Sequence, residues 1–352
     1  MKAVVIEEPN RMVVSRIEDP TPATGEAVIK VEACGICGTD IHVLRGEFAP
    51  TRYPIVPGHE FCGEVVAVAK DVRNVKAGDF VAVDPSLFCG KCRQCRAGRF
   101  NLCENWNAIG VGSANGASAE FVAVPAANAF QLPPDMPRHW GALVEPLSCA
   151  VHGLDQVDLK VAGDYLIYGA GTMGLLLAQL AKDSGATQLD MVDPNSKRHA
   201  LARRLAADRV AASADELDRP QGWDVVIDAT GVVRAIEDGL RRVARGGTFL
   251  MFGVANADAT ATFSPFRVYN DEIKIIGSMA VLHSFERALS LLARGGVIDC
   301  EAMITNRFQL DEYQGAIDTF LAGGGLKVQV APGDASTPAS LSSRDVSRGT
   351  NR

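Results

Sequence analysis

The chain has 352 residues, 47% hydrophobic and 22% charged, a globular composition long enough for two domains. Its 42 acidic and 35 basic residues leave a net charge of −7, which argues against nucleic acid or an anionic membrane as the main partner. No apolar run exceeds strand length, and the opening MKAVVIEEPN lacks a signal-peptide core, so a cytoplasmic location without membrane spans is expected.

Residues 2–6, 27–32, 63–69, 79–84 and 119–124 are valine-rich runs broken by Gly and Pro. They predict a β-rich, barrel-like unit reaching to about residue 146. Inside it stand A33-C34-G-I-C37-G-T39-D-I-H42 and then Pro57-Gly58-His59-Glu60. Cys, His and Glu are zinc-ligand types, and a catalytic zinc takes three of them while keeping one position open. Cys37 and His59 are the first candidates. Glu60 can face the same ion as His59 only at a turn or bulge, because neighbours in extended chain point to opposite sides. Glu145, in L143-V-E-P-L147 where the β-rich unit ends, is the alternative third ligand or the holder of a water at the metal. Cys34, Cys62, Cys149 and Cys300 read as core thiols, and His139, His199 and His283 as surface or packing residues. His152 fits either role.

Four of the nine cysteines lie between residues 89 and 103 as C-x2-C-x2-C-x7-C. Without a secretory signal, a disulfide framework is not expected. Cys89, Cys92, Cys95 and Cys103 suit a tetrahedral, four-thiolate zinc with no open position, a structural site that contributes folding energy and no chemistry. Lys91, Arg93, Arg96 and Arg99 would offset its negative charge. The aromatics and basic stripe of a nucleic-acid zinc knuckle are missing.

From residue 164 the pattern changes to strands (164–168, 188–193, 210–212, 223–228, 247–252, 273–276) alternating with helical stretches such as 175–182 and 197–206. That alternation predicts an α/β domain built on a doubly wound parallel sheet. G169-A-G171-T-M-G174 follows the first strand and opens a helix, and Asp193 ends the next strand. In this context the motif binds a dinucleotide. Gly169 makes the turn, Gly171 admits the pyrophosphate, and Gly174 lets the helix pack closely. The helix start, with Thr172 and Met173, offers its N–H groups to the anion. Asp193 accepts from the adenosine ribose and repels a 2′-phosphate, favouring NAD over NADP, while Arg198 reaches the same ribose. Beyond residue 279 the sequence predicts a helix at 285–293, a short strand, a helix at 311–321 and a strand at 327–330. Residues 331–352 are polar, Pro/Ser-rich and expected to be disordered.

Taken together, G35-I-C37-G-T39-D40-I-H42, Gly58-His59-Glu60, the four-cysteine lobe, Val144-Glu145-Pro146-Leu147 and the glycine motif resemble the zinc-dependent medium-chain alcohol dehydrogenases. The resemblance is nearest to the polyol (sorbitol, arabinitol) and threonine dehydrogenase branch and covers about residues 1–330. It implies a GroES-like catalytic domain (1–146, with the zinc lobe at 86–105), an inserted Rossmann NAD-binding domain (147–278), and a return of 279–330 to the catalytic domain. It implies two zinc ions per chain, the catalytic one at Cys37, His59 and Glu60 with Glu145 in or just outside its ligand set. It also implies NAD as cofactor, a small-molecule alcohol or polyol as substrate, and a homodimer or homotetramer, often paired through the sixth strand. It further implies that zinc would make a substrate hydroxyl easier to deprotonate, that nicotinamide would accept the hydride, and that Thr39 and then His42 would carry the proton out. Sorbitol dehydrogenases carry an Arg-Tyr pair just after the sixth strand. Here Ala280 and Val281 stand there, so the expected pocket is more apolar, with Phe48, Trp106 and Met279 as candidate lining. The resemblance leaves two rivals to a working alcohol dehydrogenase: a zinc-free quinone reductase of the same superfamily, and a non-catalytic NAD-sensing zinc protein.

Overall fold

The structure is a computed structural model that describes residues 1–48, 50–158 and 162–333. The predicted disordered stretch therefore lies, from residue 334 on, outside the described residues. Two sheets organise the chain. The first has seven strands in the order Ile304–Phe308, Lys327–Val330, Glu26–Ile36, Glu60–Val68, Phe80–Val83 and Ala129–Gln131, with Phe121–Pro125 also paired to Glu26–Ile36. Glu26–Ile36 is its spine because it is long enough, at 11 residues, to pair differently along its length. Its first half takes Phe121–Pro125, and Cys34 to Ile36 take Lys327–Val330. The late residues 304–308 and 327–330 thus pair inside the early sheet.

One strand expectation needs correction. Residues 2–6 do not join this sheet. Lys2–Glu8 folds back on Arg11–Arg16 as a separate hairpin, turned at Asn10 with φ of 64°. Its β pairing to the rest is limited, among the described residues, to single bridges from Ala3 to Ala119 and from Ile6 to Ile55. Valine alternation reports a strand but not which sheet receives it.

The second sheet is parallel throughout, in the order Arg209–Ala211, Gln188–Val192, Asp164–Tyr168, Trp223–Asp228, Val243–Met251 and Lys274–Gly277. The order runs outward from Asp164–Tyr168 in both directions, so a crevice opens where the winding reverses, outside the carboxyl ends of the strands. Between the sheets lies the helix Val144–Asp155, almost wholly buried, entered through a tight turn over Arg138–Leu143. It begins in the run expected to close the β-rich unit and ends against the parallel sheet. Among the described residues, no helix is long and apolar enough to cross a membrane.

Candidate active site

Cys37 follows the spine strand directly and caps the helix Gly38–Arg45. Its Sγ accepts the Thr39 N–H at 3.3 Å while the Asp40 carboxylate accepts the Cys37 N–H at 2.9 Å. This reciprocal cap holds the sulfur on the cleft side of the turn. His59 comes from the neighbouring strand entry, with Nε2 at 3.2 Å from Cys37 Sγ and Nδ1 at 3.5 Å from Asp40 Oδ1. The imidazole is 7% exposed and the Asp40 side chain is buried behind it. Burial disfavours the charged ring, but Cys37 and Asp40 outweigh it and hold the His59 pKa well above its ordinary value. A carboxylate behind a metal-facing histidine fixes its tautomer and orientation. The sequence reading missed Asp40 in that role, although an acid at the third helical position after Cys37 was the available signal.

Glu60 reaches the same place because the chain leaves a turn at Gly58, where φ is 99°. A Cβ there would also stand 2.6 Å from Cys34 Sγ, so only glycine fits. His59, Glu60 and Glu145 offer ligand atoms within 4.8 Å of one another, as do Cys37, Asp40 and His59. Glu60, however, is ion-paired with Lys327 Nζ, which also donates to the Ile36 carbonyl at 3.3 Å. Lys327 is 1% exposed. Burial favours its neutral form, yet Glu60 and Cys37 overcome this and keep its pKa above the usual lysine value. The sequence had shown Lys327 only as the first residue of a closing strand. Glu145, in the first turn of Val144–Asp155, accepts from the Cys149 thiol at 3.5 Å and forms no salt bridge among the described residues. Burial pushes its carboxyl up to about 7. A buried carboxyl grouped with His59 and Glu60 suits a divalent cation.

Thr39 and His42 stand three residues apart on the Gly38–Arg45 helix, hence on one face. His42 Nδ1 lies 2.7 Å from the half-exposed Glu47 carboxylate. Phe48 and Trp106 pack against one cluster containing Val43, Ile55 and Val111. Trp106 Nε1 is buried there and has no hydrogen-bond partner among the described residues. Met279 lies on the exposed side of its segment, whereas Val281 is 5% exposed and belongs to the core.

In the lobe, Cys89, Cys92, Cys95 and Cys103 bring their sulfurs within 4.8 Å of one another, and none is in a disulfide. Backbone N–H groups of Cys89 and Asn105 donate to Cys103 Sγ at 3.3 Å, and that of Cys95 to Cys92 Sγ at 3.5 Å. The N–H groups of Lys91 and Cys92 pull Cys89 down to about 6, while burial pushes Cys95 up to about 12. Amide donors aimed at converging sulfurs, one of them costly to ionise alone, fit a bound cation.

The dinucleotide turn runs from Asp164–Tyr168 through Gly169, with φ of 97°, into the helix Thr172–Asp183. A Cβ on Gly174 would lie 1.8 Å from the Gly169 carbonyl oxygen, so the helix passes too close for any side chain. Gly171 caps that helix with no side-chain hydrogen bond, which leaves the first-turn N–H groups of Thr172 and Met173 for an anion. Asp193 accepts from the Ala170 N–H at 2.7 Å and the Asn195 N–H at 2.8 Å, and Arg198 Nη1 stands 3.4 Å away.

Residues 23–134 match the family model described as the alcohol dehydrogenase GroES-like domain, and residues 172–294 the one described as zinc-binding dehydrogenase. D-arabinitol dehydrogenase 1 of Uromyces fabae is 38% identical over 94% of this chain and 97% of its own. The chain belongs to the zinc-dependent medium-chain alcohol dehydrogenase family. Another member, D-altritol 5-dehydrogenase of Agrobacterium fabrum, is 38% identical over 89% of this chain and 94% of its own. A Sinorhizobium meliloti structure described as a zinc-binding dehydrogenase bound to NADP superposes with a TM-score of 0.90 at 37% identity, covering 94% of this chain and 99% of that one. This medium-chain dehydrogenase is thus an oxidoreductase acting on CH–OH groups with zinc and a nicotinamide dinucleotide. The non-catalytic NAD-sensing reading is set aside by these relatives. The Cys37–His59 pair and the cysteine lobe do the same for the zinc-free reductase reading.

Proposed function

We propose that the chain oxidises a secondary alcohol or a polyol to the ketone, with Cys37, His59 and Glu145 holding the catalytic zinc and Cys89, Cys92, Cys95 and Cys103 the structural one. The observation that carries this is His59, which stands beside Cys37 on one side and beside Glu145 on the other, while Glu60 is neutralised by Lys327. Glu60 then stands beside the zinc as a spare carboxylate rather than as a ligand. When bound, zinc supplies Lewis acidity that makes a substrate hydroxyl easy to deprotonate, and NAD supplies a hydride acceptor. The chain's own groups do the rest. Asp40 keeps the His59 ring aligned. The Thr39 hydroxyl takes the substrate proton, and Glu47, bound to His42 Nδ1, leaves the other ring nitrogen free to pass it to water. The first-turn N–H groups after Gly171 hold the pyrophosphate, Asp193 the adenosine ribose, and Arg198 flanks it.

For the substrate, the relatives named for arabinitol and altritol favour a polyol or a related secondary alcohol. The unpartnered Trp106 Nε1–H is a donor that a substrate hydroxyl can satisfy. We further propose a cytoplasmic enzyme with domain limits at 1–146, 147–278 and 279–330, and a homodimer or homotetramer paired through the edge strand Lys274–Gly277. The test combines metal analysis with NADH absorbance on a panel of four- to six-carbon polyols and simple secondary alcohols, with NADP in parallel. Two zinc ions per chain and NAD-linked turnover are expected. A zinc-replete chain that holds one ion and turns over no alcohol would sink this reading.

A further inference from the structure

The cysteine lobe reaches across to residues 279–283, a contact that its own folding does not require. Asn101 lies in the tight turn Phe100–Leu102, two residues before Cys103, and is 5% exposed. Its Nδ2 donates to the Met279 carbonyl at 2.8 Å and stands 3.4 Å from His152 Nε2. His152 is two helical turns beyond Glu145 on the Val144–Asp155 helix. Met279 begins the segment that leaves the carboxyl end of the edge strand Lys274–Gly277, the side of a parallel sheet where dinucleotide and substrate meet.

That segment is unusual in its own right. Ala280 and His283 have φ of 49° and 52°, a left-handed backbone that side-chain-bearing residues adopt only when surrounding contacts impose it. The lobe supplies a contact beside each of them. Asn101 holds the carbonyl just before Ala280. His283 Nε2 lies 3.0 Å from the Gly98 carbonyl, and its ring meets Phe100 edge-on at 5.4 Å. Phe100 is in turn stacked on Phe88 at 4.5 Å. Val281, between the two anchors, is sunk in the core.

We propose that Asn101 is a positioning residue for substrate binding. Carried by the metal-folded lobe, it locks residues 278–284 in their left-handed course and ties them, through His152, to the helix that bears Glu145. The lobe then sets the distance between the cofactor side of the cleft and the metal side. The inference rests on the dehydrogenase reading above for its kinetic part only.

The test compares the wild type with Asn101→Asp, which keeps the shape but cannot donate to the Met279 carbonyl. His283→Phe, at an exposed anchor, serves as the second variant should the first fold poorly. Both variants are expected to keep the wild-type zinc content. Amide exchange over residues 278–284 should quicken about tenfold or more while the parallel sheet stays protected. The KM for the alcohol should rise about tenfold with kcat changed by less than about threefold. Unchanged exchange at 278–284 in both variants overturns the proposal, and so does faster exchange with an unaltered KM. A wild type that turns over no alcohol counts against the dehydrogenase reading instead, since the exchange arm reads the clamp without turnover.

Discussion

Glu60 and Lys327 are both buried beside the candidate metal ligands, and each is tolerable there only because of the other. Removing one partner strands a charge. Lys327→Met is therefore expected to cost about 3–5 kcal/mol of stability in urea denaturation, and Glu60→Gln on top of it to recover much of the loss. If the single variant unfolds at the wild-type urea concentration, the pair does not hold this site together. Thr39 acts differently, because its hydroxyl serves proton transfer and not stability. Thr39→Val should lower turnover about a hundredfold while metal analysis still finds both ions. Unchanged turnover would remove Thr39 from the relay.

At the scale of an element, the strand Gln188–Val192, next to the edge of the parallel sheet, carries a buried charge. Asp190 is fully buried and accepts from Arg209 Nε at 2.9 Å and Nη2 at 2.6 Å, from Gln188 Nε2 at 2.8 Å and from Trp223 Nε1 at 2.9 Å. Burial raises its pKa, but these hydrogen bonds outweigh burial and hold the carboxyl below its ordinary value. A depressed folded-state pKa means that the stabilisation is present above the unfolded value, near 3.9, and is lost as pH falls through the folded one. Asp190→Asn should thus flatten the acid-side decline of the urea midpoint below about pH 4. Parallel declines in variant and wild type would show that Asp190 is not among the groups responsible. The same strand delivers Asp193 to the glycine turn, so this buried pair also steadies the coenzyme end of the cleft.

For the whole molecule, the edge of the parallel sheet is a surface that a second copy could cover. Among the described residues Lys274–Gly277 is the last strand of its sheet, and the helix Pro265–Asn270 just before it presents Phe266 and Tyr269, 71% and 82% exposed. An open strand edge flanked by exposed aromatics favours pairing with a second copy. Sedimentation velocity should find an oligomer for the wild type and a smaller species for the double substitution Phe266→Glu with Tyr269→Glu. The same mass for both would exclude this edge as the interface.

Much of this protein was readable from residue types and spacing. The glycine turn could be read because close packing against the Gly169 carbonyl and a positive φ demand glycine locally. The cysteine lobe could be read because its four ligands lie within one short loop. Local rules reach that far because the interacting groups are separated by a few residues. What needed the folded chain were partners far apart in sequence: Lys327 on Glu60, Asn101 on the Met279 carbonyl, and Glu145 beside His59 and Glu60. No spacing rule reports these, since they depend on which strands become neighbours and which buried charge finds its opposite first.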